Sequence, residues 1–350
     1  MKRQNTILLF ILFSFLPLPF LIGIFENSPG GFSAIWDAIS LIIVYVGAIL
    51  IFLMTFNNTN KCSKPFFIYK LIWLQEMFIL SGIMGVLIGF VLTMNSMSIP
   101  PPPGMDPTNI VISNVAISLI TLVYGFVGAL TIYLIQKFYE LKSDDLDDIE
   151  VKKPKEGFLL SSFIYSILFI VFECSAIYVG SANAGGYSVL VSIESLICIV
   201  TLLVIFVLFY NGNSFIDLLK NLFWYVPDTG KNILYNLKYI HNMKKISAMF
   251  ICVSLLCVPI VMLVSLFLSG DNNEWDNPTI GLENGGLLFF WILDFIILLT
   301  IMEGREVTKL YFETGKISAG DRFYSIKYIL APAFLLFFTF SLGIMISFIL

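Results

Sequence analysis

Histidine is almost absent from this sequence, which has one, His241, in 350 residues. One histidine cannot form a metal site that needs several imidazoles, and it leaves a single candidate base for a histidine-based catalytic triad. Neither of the glycine-rich phosphate-binding patterns, G-x-x-x-x-G-K-[ST] and G-x-G-x-x-G, occurs. The five cysteines lie in apolar runs or beside basic residues, so they indicate no disulfide framework. We therefore predict a protein that is not an enzyme and has no cofactor or metal.

Charged residues are scarce as well, at 13% against about 25% in soluble domains, whereas hydrophobic residues reach 58%. Apolar runs of about 20 residues recur along the chain, each long enough to cross a hydrocarbon core of about 30 Å as a helix. The sequence has no basic patch interleaved with aromatic residues, so it does not indicate nucleic acid as a partner. The sequence predicts an all-α membrane protein with about nine transmembrane helices in a lipid bilayer. The nine runs are 7–25, 35–56, 71–94, 110–136, 158–180, 188–210, 246–269, 286–302 and 328–350.

The distribution of basic residues predicts the orientation of these helices. All 20 lysines and arginines lie before the first run or in every second connection, and the other connections hold only acidic charges, such as Glu26 and Asp106. Because basic residues collect on the cytoplasmic side, the amino terminus is predicted inside and the carboxyl terminus outside. His241 and Lys244 then fall in a cytoplasmic loop, as do Arg305 and Lys309. The first run could instead be a cleaved signal peptide, although no small-residue cleavage site follows it.

The chain also repeats itself. The segment Gly-Gly-Phe-Ser at 30–33 returns as Gly-Gly-Tyr-Ser at 185–188, and Met-Phe-Ile at 77–79 returns at 249–251. These repeats predict two parallel four-helix units, in residues 1–143 and 157–317, joined by a charged cytoplasmic linker at 144–156. An additional transmembrane helix follows in residues 318–350.

A short segment between the sixth and seventh runs is predicted to be an amphipathic helix. Apolar side chains recur at positions 215, 218, 219, 222 and 223, which lie on one face of a helix. We expect this helix to lie along the inner surface of the membrane.

Three patterns in the first half resemble the MotA/TolQ/ExbB proton-channel family. They are D-x-x-S-L-x-I-V-x-x-G at 37–47, G-x-x-G-x-x-x-G at 82–89 and N-x-A-x-x-L-x-T-x-x-Y-G at 114–125. The resemblance implies an integral subunit of a bacterial cytoplasmic (inner) membrane that couples a proton or sodium gradient to work on a partner. It also implies assembly with other membrane subunits, such as a single-helix protein of the MotB type, or with further copies of this chain.

The departures from that family are equally specific. The large cytoplasmic domain between the second and third helices is missing, because residues 57–70 form a connection of about 14 residues. The family's proline before the glycine pattern is absent, and Leu122 stands where the second of two adjacent threonines is expected. Flagellar rotation is therefore not the predicted role.

Acidic residues at membrane depth are the candidate ion-pathway residues, since each costs at least about 2.5–3.5 kcal/mol at the membrane centre. Asp294, Glu173 and Glu194 lie inside the predicted spans without a lysine or arginine at similar depth. In the family the essential carboxylate belongs to the single-helix partner, and we hypothesise that Asp294 supplies it in this chain. The alternative is a neutral aspartic acid that hydrogen-bonds to a neighbouring helix.

Thr121 is the remaining candidate for the ion pathway, because it matches a family position. It could equally bond to a backbone carbonyl one turn earlier, as buried threonines commonly do. Gly82, Gly85 and Gly89 form a small-residue face, which predicts close helix packing.

Three functions remain open from the sequence. The first is ion conduction coupled to a partner, the second is a membrane scaffold that has lost conduction, and the third is a solute transporter with its site between the two halves.

Overall fold

The computed structural model describes residues 37–56, 63–97, 107–141, 156–181, 212–268 and 276–315, with single positions at 197, 200, 201, 204, 205 and 208. These residues form seven helices and two strands of two residues. The helices are α1 (Ala38–Phe56), α2 (Lys64–Met97), α3 (Pro107–Leu141), α4 (Leu160–Ser181), α5 (Gly212–Phe223), α6 (Gly230–Leu268) and α7 (Asp276–Thr314). The strands are β1 (Gly157–Phe158) and β2 (Trp224–Tyr225).

The predicted helical class is confirmed for these residues. Two segments, Lys64–Gly89 in α2 and Ser118–Glu140 in α3, are long and apolar enough to cross a membrane, and Ser40–Phe56 and Leu160–Phe172 are shorter apolar helices. The predicted spans 7–25 and 328–350, most of the span 188–210 and almost all of the linker lie outside the described residues.

Local hydrogen bonds explain where several helices begin and end. Asp37 precedes α1, and its Oδ2 accepts the Ser40 backbone N–H at 3.1 Å, which is the bond of an N-cap residue. The Asp37 N–H in turn donates to the Tyr124 hydroxyl at 3.1 Å, and this bond ties the start of α1 to α3. Helix α7 stops at Gly315, whose φ of 69° is left-handed and favours glycine.

The helices pack as two long pairs that contact each other. Helix α2 packs along α3, helix α6 packs along α7, and the pairs meet where α7 contacts α2. Helix α1 contacts α2, α3 and α4. The core of apolar side chains between them includes Val44, Leu80, Ile240 and Leu299, each fully buried. Large apolar side chains remain exposed on α1, α3 and α4, as at Ile42, Phe126 and Ile167.

Helices α6 and α7 extend beyond the predicted spans, α6 at its start and α7 at both ends. Helix α6 begins at Gly230, well before residue 246, and α7 continues to Thr314, well past residue 302. Each has 39 residues and is therefore about 58 Å long, nearly twice the thickness of a hydrocarbon core. The prediction that His241, Lys244, Arg305 and Lys309 lie in loops is wrong, because all four are helical.

The amphipathic segment is a helix as predicted, but protein covers its apolar face. In α5, Leu218 and Leu222 are buried, and the helix packs against α7. Strand β2 follows directly and pairs antiparallel with β1. The Leu159 N–H donates to the Phe223 carbonyl at 2.7 Å, so the residues before α4 are joined to the end of α5.

Candidate functional site: a buried ionic cluster

The carboxyl-terminal part of α7 is buried on every side and yet carries four charged residues. Every residue from 299 to 312 is buried, because α1, α2, α5 and α6 all contact this helix. Glu303, Arg305, Glu306 and Lys309 are each at most 6% exposed. Buried charges are strongly unfavourable unless they are paired and hydrogen-bonded, so the partners of these side chains decide what the cluster can do.

Glu303 pairs with two residues of α6. Its Oε2 bonds to the Lys244 ammonium, and its Oε1 lies 3.0 Å from His241 Nε2. His241 and Lys244 are three residues apart, so they lie on one face of α6. Burial alone would raise the pKa of the Glu303 carboxyl, but the Lys244 charge and the His241 hydrogen bond outweigh it and hold that pKa below its usual value. Glu303 is therefore an ionised anchor between α6 and α7.

Glu306, one turn further along α7, has different partners. Its Oε1 accepts a hydrogen bond from Asn221 of α5 at 2.8 Å, and its Oε2 accepts one from Asn236 of α6 at 3.0 Å. The Lys309 ammonium is 3.7 Å from Oε1. Burial raises the pKa of the Glu306 carboxyl, and this effect exceeds the opposing effects of Lys309 and the two amides. The two carboxyls of α7 thus shift in opposite directions.

Arg305 points to other helices and joins α7 to α1 and α4. Its guanidinium donates to the Met54 carbonyl and to the Ser162 hydroxyl. Met54 lies in the last turn of α1, where carbonyls have no partner within the helix and where the helix dipole favours a cation. Burial lowers the pKa of Arg305 to about 10, so the side chain remains protonated at neutral pH.

Asp294 lies in the middle of α7, away from this cluster. It shares a partly exposed face of the helix with Trp291 and Leu298. Nine residues separate it from Glu303, which corresponds to about 14 Å along the axis and about half a turn around it. The structure therefore does not bring Asp294 and Glu303 together. Glu194 lies outside the described residues, and so does the side chain of Glu173, whose backbone belongs to α4.

Thr121 lies in the contact between α2 and α3. Its hydroxyl donates to the Ser118 carbonyl at 2.5 Å and is 3.3 Å from the Gly82 carbonyl. A Cβ atom on Gly85 would lie 2.8 Å from Thr121 Cβ, and one on Gly89 would overlap Ser118. The threonine and the three predicted packing glycines therefore meet at one close helix contact.

Sequence reasoning missed the ionic cluster, although a signal was present. Glu303, Glu306 and Lys309 recur every three residues directly after an apolar run, and His241 and Lys244 have the same spacing directly before one. Helical spacing of charged residues that continues an apolar helix indicates that the helix itself continues.

Comparison of the chain with known proteins identified no relative. No family model matches the chain, and neither a curated protein nor a solved structure is significantly similar to it. The resemblance to the MotA/TolQ/ExbB family thus remains a prediction from the sequence patterns. Within the described part of the chain, no group of three histidine, cysteine, aspartate or glutamate side chains is placed to hold a metal ion.

Proposed function

We propose that this chain is an integral membrane subunit that couples a proton or sodium gradient to work on a partner, with Asp294 as its ion-binding carboxyl. The supporting observation is the position of Asp294 on a partly exposed face, in the middle of an otherwise apolar segment of α7. A carboxyl group at membrane depth is costly and is typical of an ion pathway. Partial exposure leaves it open to an ion or to a helix of another subunit.

The ionic cluster supports the coupling part of this proposal. Asp294 and the Glu303–Glu306 turn belong to one uninterrupted helix, α7. Glu303 holds α6, Arg305 holds α1 and α4, and Glu306 holds α5 and α6. A movement of α7 that follows ion binding at Asp294 would therefore reach all of these helices at its inner end.

The proposed topology has nine spans, an amino terminus inside and a carboxyl terminus outside, in a bacterial cytoplasmic membrane. The described helices support the duplication within it, because α2 with α3 and α6 with α7 form long pairs at corresponding places in the two halves. Two repeats in one chain imply a stoichiometry different from that of a ring with one repeat per chain.

A second candidate is a membrane scaffold without conduction, and the geometry of Thr121 favours it. The hydroxyl of this residue is bonded to backbone carbonyls within the α2–α3 contact. A threonine whose hydroxyl proton is bonded to a backbone carbonyl at a close helix contact supports packing.

Proton uptake by everted membrane vesicles from cells that express the chain separates the two candidates, because membrane partners are retained. We expect Asp294→Asn to lower proton flux about tenfold or more, since the amide cannot take up and release a proton. Asp217→Asn is the matched control, because this aspartate is exposed on α5 and its side chain is 72% accessible. Flux that is unchanged in Asp294→Asn would contradict the role of Asp294. Wild-type flux equal to that of vesicles without the chain would favour the scaffold.

A further inference from the structure

Glu306 of α7 is bonded to both α5 and α6, at the end of α7 that carries the ionic cluster. Its two carboxyl oxygens are divided between α5, through Asn221, and α6, through Asn236. The carboxyl group itself is 1% exposed, whereas both asparagines are half-buried. The amides therefore lie between Glu306 and the surface of the described bundle, and both donate to this carboxylate.

The charges around Glu306 are few and come from each neighbouring element. Lys309 of the same helix is 3.7 Å away, and Asp228, in the segment before α6, opposes ionisation. On α6, Lys244 and His241 are engaged with Glu303. The charged residues of α5, Asp217 and Lys220, are exposed and pair with each other at 3.7 Å.

Helices α1, α2 and α4 complete the surroundings of α7. On α2, the Lys70 ammonium lies over the Phe56 and Phe66 rings, at 5.8 and 5.2 Å from their centroids. The contact of α7 with α1 and α4 is made by Arg305 through a carbonyl and a hydroxyl. Lys309 is therefore the only cation with a described contact to the Glu306 carboxyl.

We propose that Glu306 is a proton-binding site at the inner end of the bundle, and that its protonation releases α5 from α7. An ionised carboxylate accepts hydrogen bonds on both oxygens, so it can hold Asn221 and Asn236 at once. The proton goes to Oε2, because the Lys309 ammonium lies beside Oε1. Asn236 then turns its amide over so that its carbonyl accepts from the new O–H, and the Asn221 bond to Oε1 changes from a charge-assisted bond to a neutral one of about half the strength.

Helix α5 is the element that gives way. It has 12 residues and makes one hydrogen bond to Glu306, whereas α6 has 39 residues and is also held by the Glu303–Lys244 pair. The raised pKa of Glu306 agrees with a group that binds protons more readily than an exposed glutamate. The role of this site in coupling rests on the proposed function, but proton binding by Glu306 can be tested without ion flux.

The test uses the full chain in lipid nanodiscs, with hydrogen exchange of residues 212–223 measured across a pH series and corrected for the intrinsic rate. In the wild type we expect protection of α5 to fall about threefold to tenfold as the pH is lowered, the effect of replacing a charged acceptor by a neutral one. Glu306→Gln should show weak protection that does not depend on pH. Its infrared spectrum should also lack a carboxylic acid band that the wild type gains on acidification.

The controls keep the proposal falsifiable. Asp217→Asn lies on the same helix and should preserve the wild-type pH dependence of exchange. Asn221→Leu removes the α5 donor and leaves Glu306 in place, so it should make exchange of α5 independent of pH even if Glu306→Gln does not fold. A wild type without pH-dependent exchange, or a pH dependence that persists in Asn221→Leu, would overturn the proposal. Asp294→Asn should leave these readouts unchanged, so failure of the ion pathway is distinguishable from failure of this site.

Discussion

Two glutamates one turn apart on α7 show how partners decide the state of a buried carboxyl group. Glu303 faces an ammonium and an imidazole, and its pKa is lowered despite complete burial. Glu306 faces two neutral amides and a more distant ammonium, and its pKa is raised. Burial is therefore not sufficient to predict the charge of either residue.

These opposite shifts predict stability effects of different size. We expect Glu303→Gln to destabilise the protein by about 3–5 kcal/mol, because it leaves the Lys244 ammonium buried without a counter-charge. Glu306→Gln should destabilise less, because the uncharged side chain avoids the cost of burying a carboxylate and the Lys309 ammonium that loses its counter-charge lies further away, at 3.7 Å. Thermal unfolding of the two variants in the same detergent measures the difference. A Glu303→Gln variant as stable as the wild type would contradict the anchor role.

The pH dependence follows from the same shifts. The contribution of Glu303 is present above its unfolded pKa of about 4.3 and is lost as the pH falls through its lower folded value. The contribution of Glu306 is fully present below about pH 4.3 and is lost as the pH rises through its raised folded value. The stability of Glu306→Gln relative to the wild type should therefore rise as the pH rises.

Individual partners could not be predicted from the sequence. The spacing of Glu303 and Glu306 places them on neighbouring turns of one helix, but it does not say which turn of α6 lies opposite. Hydropathy identified Asp294 because a charge interrupts an apolar run there. It could not identify Glu303, because a charge at the end of such a run resembles an ordinary boundary residue.

At the scale of helices, the contact of α2 with α3 depends on the absence of side chains. Gly85→Ala should destabilise the protein by about 1–3 kcal/mol, because the added Cβ would lie 2.8 Å from Thr121 Cβ. Gly47→Ala is the matched control, since its Cβ would meet no atom of another residue closer than 3.8 Å. That change should be neutral or stabilising because alanine favours the helix. Thermal unfolding and a double variant with Thr121→Ala, which should recover part of the loss, measure the effect.

The helices were predictable from apolar runs, but the charged ends of α6 and α7 were not. The run 35–56 contains the whole of α1, because α1 has no charged residue that would interrupt an apolar run. Helices α6 and α7 continue through charged residues that a hydropathy pattern assigns to loops. Packing against neighbouring helices buries Lys244, Glu303 and Glu306 and supplies their partners, and this information is not local in the sequence.

For the molecule as a whole, the proposed orientation makes a labelling prediction. In a background without the five native cysteines, Lys238→Cys should react with an impermeant maleimide only after spheroplasts are permeabilised. Asp271→Cys, in a connection predicted to lie outside, should react in intact spheroplasts. Reaction of Lys238→Cys from outside would show that the orientation is reversed or that the number of preceding spans is wrong.

The length of α7 also has a mechanical consequence. Twenty residues separate Asp294 from Thr314, so the end of the helix lies about 30 Å from the acidic group. If α7 pivots near Asp294, a tilt of about 5° displaces that end by about 2.6 Å, roughly half the pitch of an α-helix. A stiff helix of this length would then work as a lever, which turns a small tilt near Asp294 into a displacement large enough to break a hydrogen bond at its tip.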